Sequence, residues 1–214
     1  VDGYVKRGNI QLIVERIEPV NALGAMEEAK RLLVERLRNE GELDRPRTRP
    51  PAIPKHIAIV TGAGSAALAD MQQLIENRWP GLRRTVIGVL VQGQRASEEI
   101  VRALALTRRL ADPVVAAKRG EPPVDLVIVG RGGGSPEDLW AFNLEPVIRS
   151  IIASPVPVVS AVGHESDLLV SDLVADVRAS TPSNAIERTV PVRAELEQWL
   201  DELDDRLAHA TRRT

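Results

Sequence analysis

Between residues 57 and 162, short runs rich in valine and isoleucine alternate with stretches of helical spacing: apolar 57–60, helical 66–77, apolar 86–91, helical 96–110, apolar 124–129, helical 136–150 and apolar 156–162. Strands that are apolar at nearly every residue must be covered on both faces. Strands separated by helices run parallel, because a parallel return needs a long crossover. The alternation therefore predicts an α/β fold, a mainly parallel sheet with helices on both faces in a Rossmann-like arrangement. In such sheets ligands gather outside the carboxyl ends of the strands.

The flanks read differently and suggest four segments. Residues 1–22 carry loose alternation on either side of Gly8-Asn9, as the closing strands of a small β unit would. Residues 23–54 begin with a helix in which Leu32, Leu33, Val34 and Leu37 recur at helical spacing, with Gly41 as its stop. They end in a connector, 45–54, that holds four prolines and three arginines and is expected to be extended. The α/β core is expected at 55–182. In 183–214, Leu196, Leu200, Leu203, Leu207 and Ala210 alternate spacings of four and three, which fits either the start of a coiled-coil helix or an amphipathic helix docked on its own domain.

Composition limits what the core can do. The formal net charge is −2, so affinity for nucleic acid has to come from local arginine clusters rather than a global positive field. Aromatic residues make up only 2%, which argues against base stacking as the main source of such affinity. The absence of cysteine excludes disulfides and thiolate metal sites, and fits a reducing cytoplasm. No apolar run approaches the roughly 20 residues of a membrane span, and no segment has the layout of a signal peptide.

Unusual polar clusters follow two of the apolar runs. Gly130-Arg131-Gly132-Gly133-Gly134-Ser135 comes after 124–129, and Gly163-His164-Glu165-Ser166-Asp167 comes after 156–162. Glycines in a row cost about 0.5–1 kcal/mol each in a helix or strand interior, so a turn is expected here. The N–H groups of Gly132, Gly133 and Gly134, with Ser135 capping the next helix and Arg131 as a bidentate cation, suit a phosphate. The plainer alternative is a flexible turn with a surface arginine. Asp167 lies three residues beyond His164, where its carboxylate can fix the imidazole tautomer for acid–base or nucleophilic work. A histidine that only caps a helix is the competing reading. Asp70, one or two turns into the helix after the first run, could orient either group or hold a cation through water, although an acid near a helix N-terminus is favourable by itself. Gln92, after the second run, and Trp140, after the glycines, are candidates for base or strand contacts. Glu137 and Asp138 read as N-terminal helix acids first and metal ligands second. Thr61-Gly62-Ala63-Gly64-Ser65 lacks the complete pattern of a dinucleotide or Walker loop.

The runs 130–143, 160–167 and Thr181-Pro182-Ser183, with Val91-Gln92-Gly93 and Ala66-Ala67-Leu68-Ala69-Asp70, together resemble the large subunit of bacterial exodeoxyribonuclease VII. That resemblance implies degradation of single-stranded DNA into oligonucleotides, with functional positions at Asp70, Arg131, His164 and Asp167. It also implies an N-terminal OB-fold, of which 1–22 would be the tail, self-association, and long C-terminal helices that bind a small helical subunit. Magnesium is implied as optional, with no certain metal ligand. Ser166 stands where the family usually has threonine, and residues 62–65 depart from its usual turn. Two rivals remain at this level: an enzyme for a small nucleotide or sugar phosphate, and a noncatalytic assembly scaffold.

Overall fold

In the computed structural model the described residues are 2–6, 9–13, 22–133, 136–163 and 168–211. The chain begins with an antiparallel ribbon, β1 (Asp2–Lys6) and β2 (Asn9–Ile13), followed by the helix α1 (Ala22–Asn39). The main unit is a five-stranded sheet of β3 (His56–Thr61), β4 (Arg83–Gly88), β5 (Leu126–Gly130), β6 (Val158–Ala161) and β7 (Val177–Arg178). Its spatial order is β4-β3-β5-β6-β7, with every pairing parallel. The α/β reading with a parallel sheet therefore holds.

The alternation of side chains along each strand explains why both faces are covered. Ile57, Ile59, Leu126, Ile128 and Val159 point to one side, where they meet Met71 and Ile75 of α2 (Ala66–Arg78) and Ala185 and Ile186 of α8 (Pro182–Thr189). Ala58, Val60, Val127, Val129 and Val158 point to the other. There they meet α1, α3 (Ala96–Leu110), α6 (Glu145–Ile152) and α7 (Val170–Val174) through Leu37, Ile100, Leu104, Ile148 and Val170. Full burial of such side chains stabilises the fold by about 1.5–3 kcal/mol each. Because Ala185 and Ile186 of α8 and Val190 just after it join this layer, the packed unit continues past residue 182.

Several elements depart from the periodicity reading, each for an identifiable reason. The second strand lies at Arg83–Gly88 rather than 86–91. It is an edge strand, and Arg83, Arg84 and Thr85 occupy positions that an apolar run would not mark; charged edges also deter unwanted pairing. The helix expected over 136–150 is broken into α5 (Pro136–Leu139), a 3-10 turn at Trp140–Asn143, and α6. Leu144 is extended at φ −82° and ψ 135°, and Pro146 lacks the N–H that a continuous helix would need. The helix α4 (Pro113–Arg119), capped by the Asp112 side chain and ended by left-handed Gly120, was not anticipated. The last helix, α9, runs Arg193–Thr211.

The chain leaves β3 towards β4 on one side and then returns to place β5 on the other. The carboxyl ends of β3 and β5 therefore border the crevice where doubly wound sheets bind ligands.

Candidate active site

Gly130 ends β5, and a Cβ added to it would lie 3.7 Å from that of Ala161 and 3.8 Å from the Met71 methyl, so the strand passes close beneath α2. Beyond it the backbone N–H of Arg131 donates to the Ala161 carbonyl at 3.1 Å. The exits of β5 and β6 are thus tied together at the point where both chains leave the sheet. Above them opens a cavity of about 360 Å³, lined by Ala66, Ala67 and Asp70 of α2, by Arg131, Gly132, Gly133 and Val162, and by residues 180–183.

The side chain of Arg131 is only 7% exposed, a position a cation occupies at high cost unless it is paired. Its Nη2 donates to Gln92 Oε1 at 3.0 Å and lies 3.3 Å from Asp138 Oδ2, while Nη1 donates to the Val91 carbonyl at 3.4 Å. The exit of β4 therefore contributes by holding Arg131. Gln92, a candidate for base contact, has its amide oxygen committed to the guanidinium. Asp138 is the counter-ion of Arg131. An arginine carries five N–H donors, more than these three acceptors among the described residues engage, and a bidentate oxyanion contact draws on such donors.

Two helix N-termini face the same space. Ser65 caps α2, its Oγ accepting from Leu68 N at 3.2 Å, and Thr181 caps α8, its Oγ1 accepting from Asn184 N at 3.0 Å. Orphan N–H groups and the positive ends of both dipoles favour an anion between them. Ser180 and the Thr181-Pro182-Ser183 motif of the family resemblance form this wall. Its signal was legible, since Thr before Pro at the first helical position is a helix-start signature.

Gly132 does not adopt a left-handed conformation, and a Cβ there would meet Ala67 Cβ at 3.9 Å, an ordinary contact. The fold does not require glycine at this position. Its absent side chain leaves backbone open to the cavity, as close approach by a ligand would require.

The structure thus brings Asp70, Arg131, Gly132 and Gly133 to one cavity. Gly134 and Ser135, and likewise His164, Glu165, Ser166 and Asp167, lie outside the described residues. Phe142 is fully buried, whereas Trp140 is half-buried. His56 is structural: its ring nitrogens lie 2.8 Å from the Pro122 carbonyl and 2.8 Å from Thr85 Oγ1. A polar network that the sequence did not reveal sits behind β6. The carboxylate of Asp172 accepts from Ser160 Oγ at 2.6 Å and from Leu169 N at 3.1 Å. Burial pushes its carboxyl above the ordinary range, against those hydrogen bonds and the charges of Arg178 and Lys30.

Among the described residues no group of three or more histidine or acidic side chains is placed to hold a metal. Among the described residues, Asp70 is the one carboxylate on the cavity wall. Magnesium is commonly held by one or two carboxylates, several waters and substrate phosphate oxygens, so this donor set fits an ion that enters with substrate rather than a preassembled metal cage.

Residues 43–214 match the family model described as exonuclease VII, large subunit. The chain belongs to that family. Curated relatives named exodeoxyribonuclease 7 large subunit agree. That of Alkaliphilus oremlandii is 45% identical over 207 residues, covering 96% of this chain and 48% of the relative. That of Syntrophotalea carbinolica is 46% identical over 207 residues, with the same coverages. That of Moorella thermoacetica is 46% identical over 204 residues, covering 95% of this chain and 48% of its own. The chain spans about half the length of these curated relatives. Within this exonuclease VII large-subunit unit, Asp70 and Arg131 are the two resemblance-derived positions that the structure describes, and they share a cavity. Among the described residues no helix is long and apolar enough to cross a membrane.

Proposed function

We propose that this chain is the phosphodiesterase unit of a single-strand-specific exodeoxyribonuclease. The observation that carries the reading is the cavity at the carboxyl edge of the sheet, where a buried arginine, open glycine backbone and two helix N-termini converge beside the stem that leads to His164. A phosphate there meets Arg131 and the N–H groups of residues 132–134, donors that stabilise the charge growing on its oxygens as phosphorus becomes five-coordinate. His164, oriented by Asp167, takes the proton of the attacking water or gives one to the leaving oxygen, or itself attacks phosphorus as the P–O bond to the leaving oxygen breaks, with water then hydrolysing the phosphohistidine. Asp70 orients one of these groups or receives a magnesium ion that arrives with the strand.

The sequence segments take matching roles in this reading. Residues 1–22 are the tail of a strand-gripping OB-fold, 23–54 a connector, 55–182 together with the packed α8 the catalytic unit, and α9, within 183–214, the start of a coiled-coil helix. Trp199, Leu200 and Leu207 are exposed on α9, which supports docking of the small subunit and self-association along that helix. A cytoplasmic site of action follows from the substrate.

The test is incubation of the intact protein and small subunit with labelled single- and double-stranded DNA, with and without chelator, beside the His164→Ala variant. Cleavage confined to single strands, persisting in chelator and abolished in a folded His164→Ala, supports the reading. Full cleavage by that variant refutes the assignment of His164. Stabilisation by ATP, NAD or a sugar phosphate, with none by oligonucleotides, would select a small-ligand enzyme instead. Assembly with the small subunit but no cleavage in any condition would select a scaffold.

A further inference from the structure

Resting on the phosphodiesterase reading, we propose that Gln92 and Asp138 are positioning residues that fix both the plane and the net charge of the Arg131 guanidinium, so that a strand phosphate meets it in one orientation. An arginine on a free stem loses side-chain entropy when it grips a ligand. Arg131 is ordered by the protein itself. Its backbone N–H is tied to the Ala161 carbonyl at 3.1 Å, and its side chain is fixed at both terminal nitrogens. Nη2 donates to Gln92 Oε1 at 3.0 Å and lies 3.3 Å from Asp138 Oδ2, while Nη1 donates to the Val91 carbonyl at 3.4 Å. Contacts at both nitrogens set the plane of the group as well as its place.

The acceptors are themselves anchored. Leu90 N donates to Glu99 Oε2 of α3 at 2.7 Å, and Ala96 N donates to the Gly93 carbonyl at 3.1 Å, so the loop is held on either side of Val91 and Gln92. Asp138 lies on α5, where the buried Leu139 beside it roots that helix in the core. A buried arginine needs pairing for the fold alone, and one carboxylate supplies that. The choice of partners goes further. Gln92 is exposed and brings an acceptor without a charge; Asp138 is 39% exposed, so water and salt screen its field. A second carboxylate in place of Gln92 would make the site negative and repel phosphate. The pair thus holds the guanidinium while leaving its charge available to an anion.

Substitutions that keep the contact but change the charge separate this role from a contribution to folding. In the intact protein with its small subunit, Gln92→Glu keeps an acceptor on Nη2 and adds a carboxylate. Its melting temperature is expected to be unchanged or higher, while KM for single-stranded DNA rises several-fold. Independently of activity, the slope of log affinity against log salt for an oligonucleotide should shrink by up to about 0.7, the share of one phosphate contact on a single strand. Asp138→Asn keeps an acceptor and removes a charge, and is expected to bind the strand at least as tightly as wild type with most of kcat retained. Asp138→Ala removes the contact and is expected to lower kcat by about 100-fold, the scale of a misplaced group. Gln92→Ala, at an exposed position, serves if Asp138→Ala does not fold, and is expected to lose about ten-fold in kcat.

Wild-type KM and salt slope in Gln92→Glu, wild-type kcat in a folded Asp138→Ala or Gln92→Ala, or equal losses of kcat in Asp138→Ala and Asp138→Asn, would overturn the proposal. Parallel assays of Arg131→Ala and His164→Ala keep the two claims apart. If both cleave normally, the phosphodiesterase reading fails; if both are dead while the Gln92 and Asp138 variants match wild type, only the positioning role fails.

Discussion

Arg131 and Asp138 form an ion pair at 3.3 Å in which the arginine is 93% withdrawn from solvent while the aspartate stays 39% exposed. The pair joins the end of β5 to the short helix after the glycine loop. Gln92 holds the same Nη2 from the β4 exit at 3.0 Å, so three separate segments fix one guanidinium. Lysine retains the charge but cannot span Gln92 and Asp138 while offering parallel donors to a phosphate. Arg131→Lys is therefore expected to lose about 100-fold or more in kcat/KM for single-stranded DNA, the usual consequence of removing a preorganised donor. Far-UV circular dichroism should confirm that the variant is folded. Near-normal rates would show that positive charge alone suffices at this position.

Gly132 offers a sharper separation of folding from function. Its backbone lies outside the left-handed region and space for a Cβ exists against Ala67. Gly132→Ala should consequently leave stability unchanged or raise it by about 0.4–1 kcal/mol through the unfolded chain. The added methyl faces the cavity mouth, so oligonucleotide affinity is expected to fall at least several-fold. Fluorescence anisotropy together with a thermal melt measures both effects. A destabilised variant, or one that binds normally, would contradict this account of the loop.

The same contrast shows what was legible in the chain. The α/β class followed from fully apolar strands such as 57–60 and 124–129, because only a sheet covered on both faces buries every side chain. Arg131 stood out because glycines surround it, and Asp70 because the helix holding it follows a strand. What held Arg131 was hidden: Gln92 and Asp138 lie 39 and 7 residues away along the sequence, and only the β4-β3-β5 order brings all three together. The strand β7 spans only Val177–Arg178, too short for any periodicity, and so α8 was merged with the terminal helix. Asp172 carries the pattern of any acid in the first turn of a helix, and its contact with Ser160, 12 residues earlier, is visible only in the fold.

Thr181 tests whether the α8 N-terminus matters to the cavity. Its Oγ1 accepts from Asn184 N at 3.0 Å, and the residue lines the same cavity as Gly132 and Gly133. Loss of such a cap typically costs about 1 kcal/mol. In a domain of this size that corresponds to a melting temperature about 2–4 °C lower. Thr181→Ala should show this drop together with weaker oligonucleotide binding, and Thr181→Ser should recover both. Recovery of stability without recovery of binding would mean that the threonine methyl, rather than the capped helix end, shapes the site.

Asp172 also predicts a pH dependence with a definite sign. Its carboxyl is raised above the ordinary value chiefly by burial, so the native chain holds this proton more tightly than the unfolded chain, where aspartate titrates near about 3.9. The associated stability is full below that unfolded value and is lost as pH rises through the higher native one. Asparagine cannot ionise and escapes the loss. The melting temperature of Asp172→Asn minus that of the wild type is therefore expected to grow as pH rises from about 4, and to level off once the native carboxyl is ionised. Thermal melts of both proteins across that range measure the difference directly, with every other titrating group held in common. A difference that is flat, or that shrinks with rising pH, would show that Ser160, Leu169, Arg178 and Lys30 together outweigh burial and hold the carboxylate ionised.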